Sequence, residues 1–191
     1  MINMYSNMIC NLFIVLAFIT LCNADYSPVS KLDLPMYMGR WYQVYKDKFD
    51  DTFQGDGTCA VADYGLTSTN VTVLNSQFDK DGSVDQISGY AYYDDGHSGG
   101  QLTVELEGVP RSAPYWVIEV GPIANDYYEY AVVSDNTKIS LFVLARNVSR
   151  FYDMYDDIVQ QNLIDYGFTT KYNKPIPMIQ NGCDYTKYRT R

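Results

Sequence analysis

The feature that most constrains the fold of this chain is a series of short runs of β-branched and aromatic residues, separated by segments rich in turn-forming residues. Eight such runs predict strands at Gly39–Tyr45, Cys59–Leu66, Val71–Phe78, Val84–Tyr92, Gln101–Glu107, Tyr115–Val120, Tyr128–Ser134 and Ile139–Ala145. Links such as DKDG after the third run are too short to hold a crossover helix. The strands are therefore expected to pair antiparallel, each with the next along the chain.

An open sheet of this kind would leave two edges with unpaired backbone groups. Closure into a barrel removes both edges, and an eight-stranded barrel has an interior large enough for one small ligand. The sequence therefore predicts an all-β protein whose single domain is an eight-stranded antiparallel up-and-down β-barrel.

The apolar spacing changes after the last predicted strand. In SRFYDMYDDIVQQNLIDYGF, apolar and aromatic residues recur at steps of three and four, which is typical of one helical face. We predict one α-helix packed outside the barrel, with Ser149 capping its start and Gly167 at its end. The proline-containing tail that follows is predicted to run extended to Cys183.

The first 24 residues are predicted to be a cleaved secretory signal peptide. Their apolar run LFIVLAFITL is shorter than the about 20 residues that a spanning helix needs. Cys22 and Ala24 are small residues at the positions that a signal peptidase reads. Residues 25–191 then form one secreted domain, with no integral membrane segment; an uncleaved anchor is the alternative.

Cysteine usage agrees with an oxidising compartment. Only Cys59 and Cys183 remain after the predicted cleavage, which predicts one disulfide, with two free thiols as the alternative. Sequons at Asn70 and Asn147 predict glycosylation sites. The net charge of -9 lies entirely outside the first 24 residues and disfavours binding to phosphate backbones, so no nucleic-acid partner is predicted.

Candidates for catalysis or metal binding are few. His97 is the only histidine and lies in DDGHSGG, whose composition is typical of a turn. Neither a Ser-His-Asp arrangement nor a metal site with Asp94 and Asp95 is predicted from this loop, and DKDGS lacks the glycine spacing of a calcium-binding EF-hand. We predict no enzymatic activity, no metal and no cofactor.

Three segments carry a resemblance to a known family. LPMYMGRWYQV resembles the G-x-W motif of the lipocalins, NDYYEYAVV is similar to their second motif with Asn125 in place of threonine, and LFVLARN resembles the third. The resemblance is nearest to the apolipoprotein D branch, shared with the bacterial outer-membrane lipocalins, and covers residues 32–183. The second disulfide of that branch has no counterpart here, and YYDDGHSGG departs from the relatives, so ligand identity stays open.

The resemblance implies a structural role for three residues. In lipocalins the tryptophan of G-x-W lies across the closed end of the barrel, and the arginine of the third motif packs over its ring. Trp41 and Arg146 match those positions, and Gly39 allows the chain to bend at the barrel floor. These residues are expected to close the barrel and not to bind ligand.

Ligand binding is expected to fall to inward-facing side chains nearer the open end. Strand alternation counted from Trp41 predicts that Gln43 and Tyr45 face inward. Tyr64 and Phe142 stand where the family places aromatic cavity residues. Further candidates are Tyr90, Tyr92 and Trp116. Such a lining suits a mostly apolar ligand with one or two polar groups; the alternative is that these rings merely fill the barrel core.

We therefore predict a secreted carrier of a small hydrophobic molecule: a fatty acid or lysolipid, a sterol, a retinoid or carotenoid, or a bilin. Two alternatives of other classes remain. One is a scaffold for protein–protein interaction or defence that presents exposed tyrosines and loops to another protein. The other is an isomerase that uses a cysteine thiol inside the cavity, which would require an unpaired cysteine.

Overall fold

The structure is a computed structural model and describes residues 26–49 and 55–189. The predicted signal peptide, residues 1–24, lies outside the described residues. The elements in chain order are α1 (Leu34–Tyr37), β1 (Gly39–Lys46), β2 (Thr58–Leu66), β3 (Val71–Phe78), β4 (Val84–Tyr92), β5 (Gln101–Leu106), β6 (Ala113–Val120), β7 (Ile123–Ala124), β8 (Tyr127–Tyr128), β9 (Tyr130–Ser134), β10 (Leu141–Ala145), α2 (Val148–Met154), α3 (Asp156–Tyr166), β11 (Ile176–Pro177) and a 3₁₀ turn (Tyr185–Lys187).

Eight of these strands form a closed antiparallel barrel. The strands β1 to β6 pair in sequence order, β9 follows β6, β10 follows β9, and β10 pairs back onto β1. In the closing pair, Gln43 lies opposite Leu144. The predicted fold class is confirmed, and no backbone edge is left between the first and last barrel strands. The short β11 adds to β1 near the start of the tail.

The last two barrel strands begin later than predicted. Residues Tyr127–Tyr128 pair instead with β7 in a small separate hairpin, and the turn between them uses positive φ angles at Asn125 and Asp126. The eighth barrel strand begins at Leu141 because the preceding turn folds around Asp135, whose carboxylate accepts a hydrogen bond from the backbone N–H of Ser140 at 2.8 Å.

The predicted single helix is two consecutive helices. The backbone of Tyr155 leaves helical geometry and separates α2 from α3. The predicted cap Ser149 is wrong: Asn147 caps α2, because its side-chain oxygen accepts from the N–H of Arg150 at 2.9 Å. Gly167 ends α3 as predicted, at a φ of +93° that glycine adopts without a Cβ clash.

Apolar side chains form two main layers, one inside the barrel and one outside it. The inner cluster contains Trp41, Tyr64 and Val117, which alternate along their strands with outward residues. The outer cluster joins the outer faces of β1, β6, β9 and β10 to Phe151 and Val159 of the helices. The helices therefore cover the wall of the barrel and leave its interior to the inner layer.

The C-terminal tail is tied to β2. Cys59 and Cys183 form the predicted disulfide, which spans 124 residues of sequence. The side-chain amide of Gln180 donates to the backbone oxygens of Gln43 and Ala60 at 2.8 and 2.7 Å. No helix in the described part of the chain is long and apolar enough to cross a membrane.

Candidate functional site

The floor of the barrel is built around Trp41. Its ring is fully buried, and its Nε1 donates a hydrogen bond to the backbone oxygen of Tyr37 at 2.8 Å. The guanidinium carbon of Arg146 lies 3.6 Å from the centroid of the ring. Gly39, with a φ of +90°, makes the bend that begins β1, and a Cβ at this position would lie 3.4 Å from Nη1 of Arg146.

Arg146 holds the N-terminal segment across the closed end. Its N–H groups donate to the backbone oxygens of Met36, Met38 and Arg40 at 3.2, 2.6 and 2.7 Å. Burial lowers the pKa of Arg146 to about 10, so the group stays charged at neutral pH. Arg146 also lines a cleft on the outside of the closed end, so the Trp41 ring stands between its charge and the barrel interior.

Three tyrosine hydroxyls meet above this floor. The hydroxyl of Tyr115 lies 2.8 Å from that of Tyr37 and 3.0 Å from that of Tyr64. The rings of Tyr37 and Tyr64 stack, with centroids 5.7 Å apart. Burial raises the pKa of Tyr64 to about 12 and those of Tyr37 and Tyr115 well above the ordinary value, so all three remain neutral phenols at physiological pH.

The wall above the floor is apolar and only partly buried. Four side chains pack against the inner cluster, and each keeps partial solvent exposure: Phe142, Val104, Leu106 and Tyr115. Three alanines of the same inner face, Ala62, Ala91 and Ala131, are buried among the larger side chains.

Two polar side chains share the inner face of β1. Gln43 is buried and lies opposite the inward Leu144. Lys46, at the end of β1 near the mouth, lies opposite the inward Phe142, and its Nζ donates to the backbone oxygen of Gly55 at 3.1 Å. The charge on this inner face therefore lies at the mouth, at the opposite end of β1 from Trp41.

A closed barrel with an aromatic floor and an external arginine agrees with the comparison to protein families: residues 32–172 match the family described as a lipocalin-like domain. The chain belongs to the lipocalin family. This lipocalin is 36% identical over 123 residues to apolipoprotein D of Cavia porcellus, a match that covers 60% of this chain and 61% of that relative. The aligned part therefore spans less than two thirds of that relative's length.

Two further matches are more distant. Outer membrane lipoprotein Blc of Vibrio cholerae is 28% identical over 145 residues, which cover 75% of this lipocalin and 81% of Blc. Among solved structures, insecticyanin from the tobacco hornworm Manduca sexta superposes with a TM-score of 0.59 at 19% identity, covering 81% of this chain and 84% of the other. At that identity the likeness shows the fold alone.

The prediction that Tyr45 faces inward is wrong. A one-residue bulge in β1 separates the pairs Gln43–Leu144 and Tyr45–Val143, so the alternation counted from Trp41 reverses. Tyr45 consequently joins the outer cluster, and its hydroxyl donates to Asp156 at 2.8 Å.

The predicted inward direction of three other rings is also wrong. Trp116 belongs to the outer layer and contacts Tyr26, with ring centroids 6.4 Å apart. Tyr90 and Tyr92 flank Ala91, whose side chain faces the inner cluster, so both lie on the outer face of β4. Tyr90 is 41% exposed. Alternation within one strand shows which residues share a face of the sheet. Which of the two faces points into the barrel is shown only by contacts with side chains of the neighbouring strands.

Tyr37 and Tyr115 were not predicted as site residues. Tyr115 precedes Trp116 in β6, and only one of two adjacent side chains can face the barrel interior. Which of them does so depends on the register of β6, which contains a bulge between Val117 and Glu119. Tyr37 lies on α1, a helix that the prediction omitted although Asp33 caps it and Pro35 stands in its first turn. Those two residues are the local signal that could have located it.

The two predicted glycosylation sites line clefts outside the closed end. Asn147 borders the cleft of about 570 Å³ that also contains Arg146, and Asn70 borders one of about 220 Å³ beside Leu34. Glycosylation at either site stays a prediction. A glycan on either asparagine would project away from the barrel mouth, because both clefts lie at the opposite end.

Other chemistry finds little support in the described residues. His97 is exposed and lies 3.3 Å from the side-chain amide of Gln101. Among residues 26–49 and 55–189, no group of three or more His, Cys, Asp or Glu side chains is placed to hold a metal ion. Cys59 and Cys183 are joined in the disulfide, so neither offers a thiol to the cavity as the isomerase alternative requires.

Proposed function

We propose that this lipocalin is a secreted carrier that encloses one small hydrophobic molecule in its barrel, for transport or sequestration. The observation that carries the proposal is the partial solvent exposure of Phe142, Val104 and Leu106 on the inner face of a closed barrel. Apolar side chains held open to solvent in a preformed concave surface are the usual lining of a small-molecule site.

Burial of the ligand supplies the affinity. Removing about 300 Å² of apolar ligand surface from water contributes about 7 kcal/mol, from which the entropy of association is subtracted. The floor of Trp41 and Arg146 closes one end, so a ligand is screened from water on all sides except the mouth. We expect micromolar affinity for hydrophobic molecules that fit this hollow.

The proposed contact residues are Gln43, Tyr64 and Phe142, together with Tyr37 and Tyr115. Tyr64 and Phe142 belong to the inner layer, and Gln43 adds a side-chain amide on the inner face of β1. The combination provides mostly apolar area with a few neutral polar atoms, which supports an amphiphile with a small polar part as the ligand.

Secretion is part of the same proposal. The uncharged apolar N-terminal segment, the disulfide and the two sequons support an extracellular location. N-terminal sequencing of protein collected from the medium of expressing cells is expected to begin at Asp25. An intact N-terminus on protein retained in the cell membrane would contradict this location.

Ligand binding is tested by quenching of tryptophan fluorescence. Trp41 and Trp116 are the only tryptophans, and Trp116 lies outside the wall, so a Trp116→Phe background leaves Trp41 as the reporter at the floor. We expect saturable quenching by at least one of retinol, oleic acid, cholesterol and biliverdin. The absence of binding to all four would contradict the carrier function.

A matched pair of substitutions tests where the ligand lies. Phe142→Ala is expected to weaken binding of the best ligand about tenfold, because it removes an inward ring from the wall. Tyr90→Ala removes a ring of similar size from the outer face of β4 and is expected to leave affinity unchanged. Unfolding curves of both variants confirm that they fold. Equal effects of the two on affinity would contradict binding at the inner wall.

A further inference from the structure

We propose that the hydroxyls of Tyr37, Tyr64 and Tyr115 form a deep polar subsite that binds one neutral oxygen atom of the ligand, a hydroxyl or a carbonyl. The ligand would lie with this oxygen at the floor and its hydrocarbon part toward the mouth. This inference rests on the proposed carrier function and specifies the chemical class of its ligand.

The hydrogen-bond capacity of the cluster supports this subsite. Each phenol hydroxyl carries one proton and accepts hydrogen bonds through its lone pairs. In the described part of the chain, the three hydroxyls bond only one another, through the Tyr37–Tyr115 and Tyr115–Tyr64 contacts. Two contacts use two of the three protons, so the cluster can donate one further hydrogen bond and accept others. A buried donor away from water is costly unless it meets an acceptor.

The cluster is held rigidly at the place where a ligand would reach the floor. The ring of Tyr37 contacts Trp41, with centroids 5.2 Å apart, and stacks on Tyr64. The ring of Tyr115 meets that of Tyr64 edge-on at 6.3 Å. Tyr37 and Tyr64 are buried, whereas Tyr115 keeps partial exposure on the inner face. The central hydroxyl therefore belongs to the least buried of the three rings.

The surroundings favour a neutral oxygen over a carboxylate. The side chains that form the floor and the cluster carry no charge at physiological pH. Trp41 has no ionisable group, and burial raises the pKa of the phenols of Tyr37, Tyr64 and Tyr115. The guanidinium of Arg146 lies on the far side of the Trp41 ring and donates to backbone oxygens of the closing segment. Lys46 lies at the other end of β1. The positive charge of Arg146 lowers the pKa of Tyr37 and Tyr64 by less than burial raises it. A carboxylate at the floor would therefore be desolvated with this guanidinium, on the far side of the Trp41 ring, as its nearest cation, which is unfavourable.

The subsite is tested with ligands that share one hydrocarbon skeleton and differ only in the terminal group. Retinol carries a hydroxyl, retinoic acid a carboxylate, and axerophtene only hydrocarbon at the same position. A second set, cholesterol and cholest-5-ene, differs by one hydroxyl. Affinities are measured by Trp41 quenching in the Trp116→Phe background. We expect the alcohol of at least one set to bind about tenfold more tightly than its hydrocarbon, and retinol more tightly than retinoic acid.

The decisive variant is Tyr115→Phe, which removes the central hydroxyl and keeps the ring. It is expected to weaken binding of the alcohol about tenfold and to leave the affinity for the matching hydrocarbon unchanged. Tyr64→Phe removes a terminal hydroxyl and serves as the second variant if Tyr115→Phe does not fold. Tyr90→Phe, on the outer face, is the matched control and is expected to change neither affinity.

The outcomes separate the subsite from the carrier function. Equal affinities of alcohol and hydrocarbon in both sets, or tighter binding of retinoic acid than of retinol, would overturn the subsite and leave the carrier function standing. So would a Tyr115→Phe variant that weakens alcohol and hydrocarbon equally, because the ring and not the hydroxyl would then be responsible. If neither the retinoids nor the sterols nor the remaining ligands of the first panel bind, the carrier function itself fails.

Discussion

Trp41→Ala is expected to lower the free energy of unfolding by about 4 kcal/mol, one of the largest losses that a single substitution in this chain produces. The ring is fully buried, donates to the backbone oxygen of Tyr37 and carries the guanidinium of Arg146 on one face. Its removal leaves a cavity at the floor, an unpaired carbonyl and a cation without its aromatic partner. Urea unfolding followed by far-UV circular dichroism measures the loss.

Trp116→Ala is the matched control for this prediction. It makes the same chemical change at a ring that is only partly buried in the outer layer, and we expect a loss of about 1 to 2 kcal/mol. Equal losses in the two variants would contradict a special role of the floor. A double-mutant cycle of Trp41→Leu with Arg146→Met, which removes the aromatic ring and the charge in turn, is expected to give a coupling energy of about 1 kcal/mol, since the two groups are in direct contact.

Loss of the Cys59–Cys183 disulfide is expected to have a comparable effect. The bridge joins residues 124 positions apart, and closing a loop of that length in the unfolded chain corresponds to about 4 to 5 kcal/mol in the chain-entropy description. Urea unfolding with and without a reductant, monitored at several protein concentrations, measures the difference. A loss below about 1 kcal/mol would show that the bridge adds little to the contacts that already hold the tail.

The Cys59→Ser/Cys183→Ser double variant is the control for reduction. It is expected to match the reduced protein and to be insensitive to reductant. The tail contacts around the bridge should survive in part, because the hydroxyl of Tyr188 still donates to the backbone oxygen of residue 59, a bond of 2.9 Å in the structure. A double variant as stable as the oxidised protein would contradict the expected contribution of the bridge.

Much of the fold could be predicted because its signals are local. Runs of β-branched residues, short turn segments and the switch to helical spacing after Arg146 are all read within a few residues. The helix end at Gly167 follows from a backbone conformation that glycine favours. The disulfide was predicted from the number of cysteines, since only Cys59 and Cys183 remain after the predicted signal peptide.

The candidate site was predicted less well, for a geometric reason. Each side chain of a strand alternates between the two faces, so one extra residue in a bulge reverses every later assignment. The bulge in β1 moved Tyr45 outward, and the register of β6 chose Tyr115 over Trp116 for the interior. Gln43 lies on the inner face as expected because no bulge separates it from Trp41 in β1. Tyr64 and Phe142 also belong to the inner layer, as the family resemblance implied without any count along a strand.

The sequence by itself determined that this chain closes an antiparallel barrel, covers it with helix after the last strand and ties its tail back by one bridge. The helix and the bridge follow from local spacing and from residue counts, and closure follows because an open meander of eight strands would leave two unpaired edges. Only the tertiary structure decided which rings meet inside. The hydroxyls of Tyr37, Tyr64 and Tyr115 come from one helix and two strands that are not adjacent in sequence. Their approach depends on the tilt and register of strands around the barrel, which long-range pairing sets.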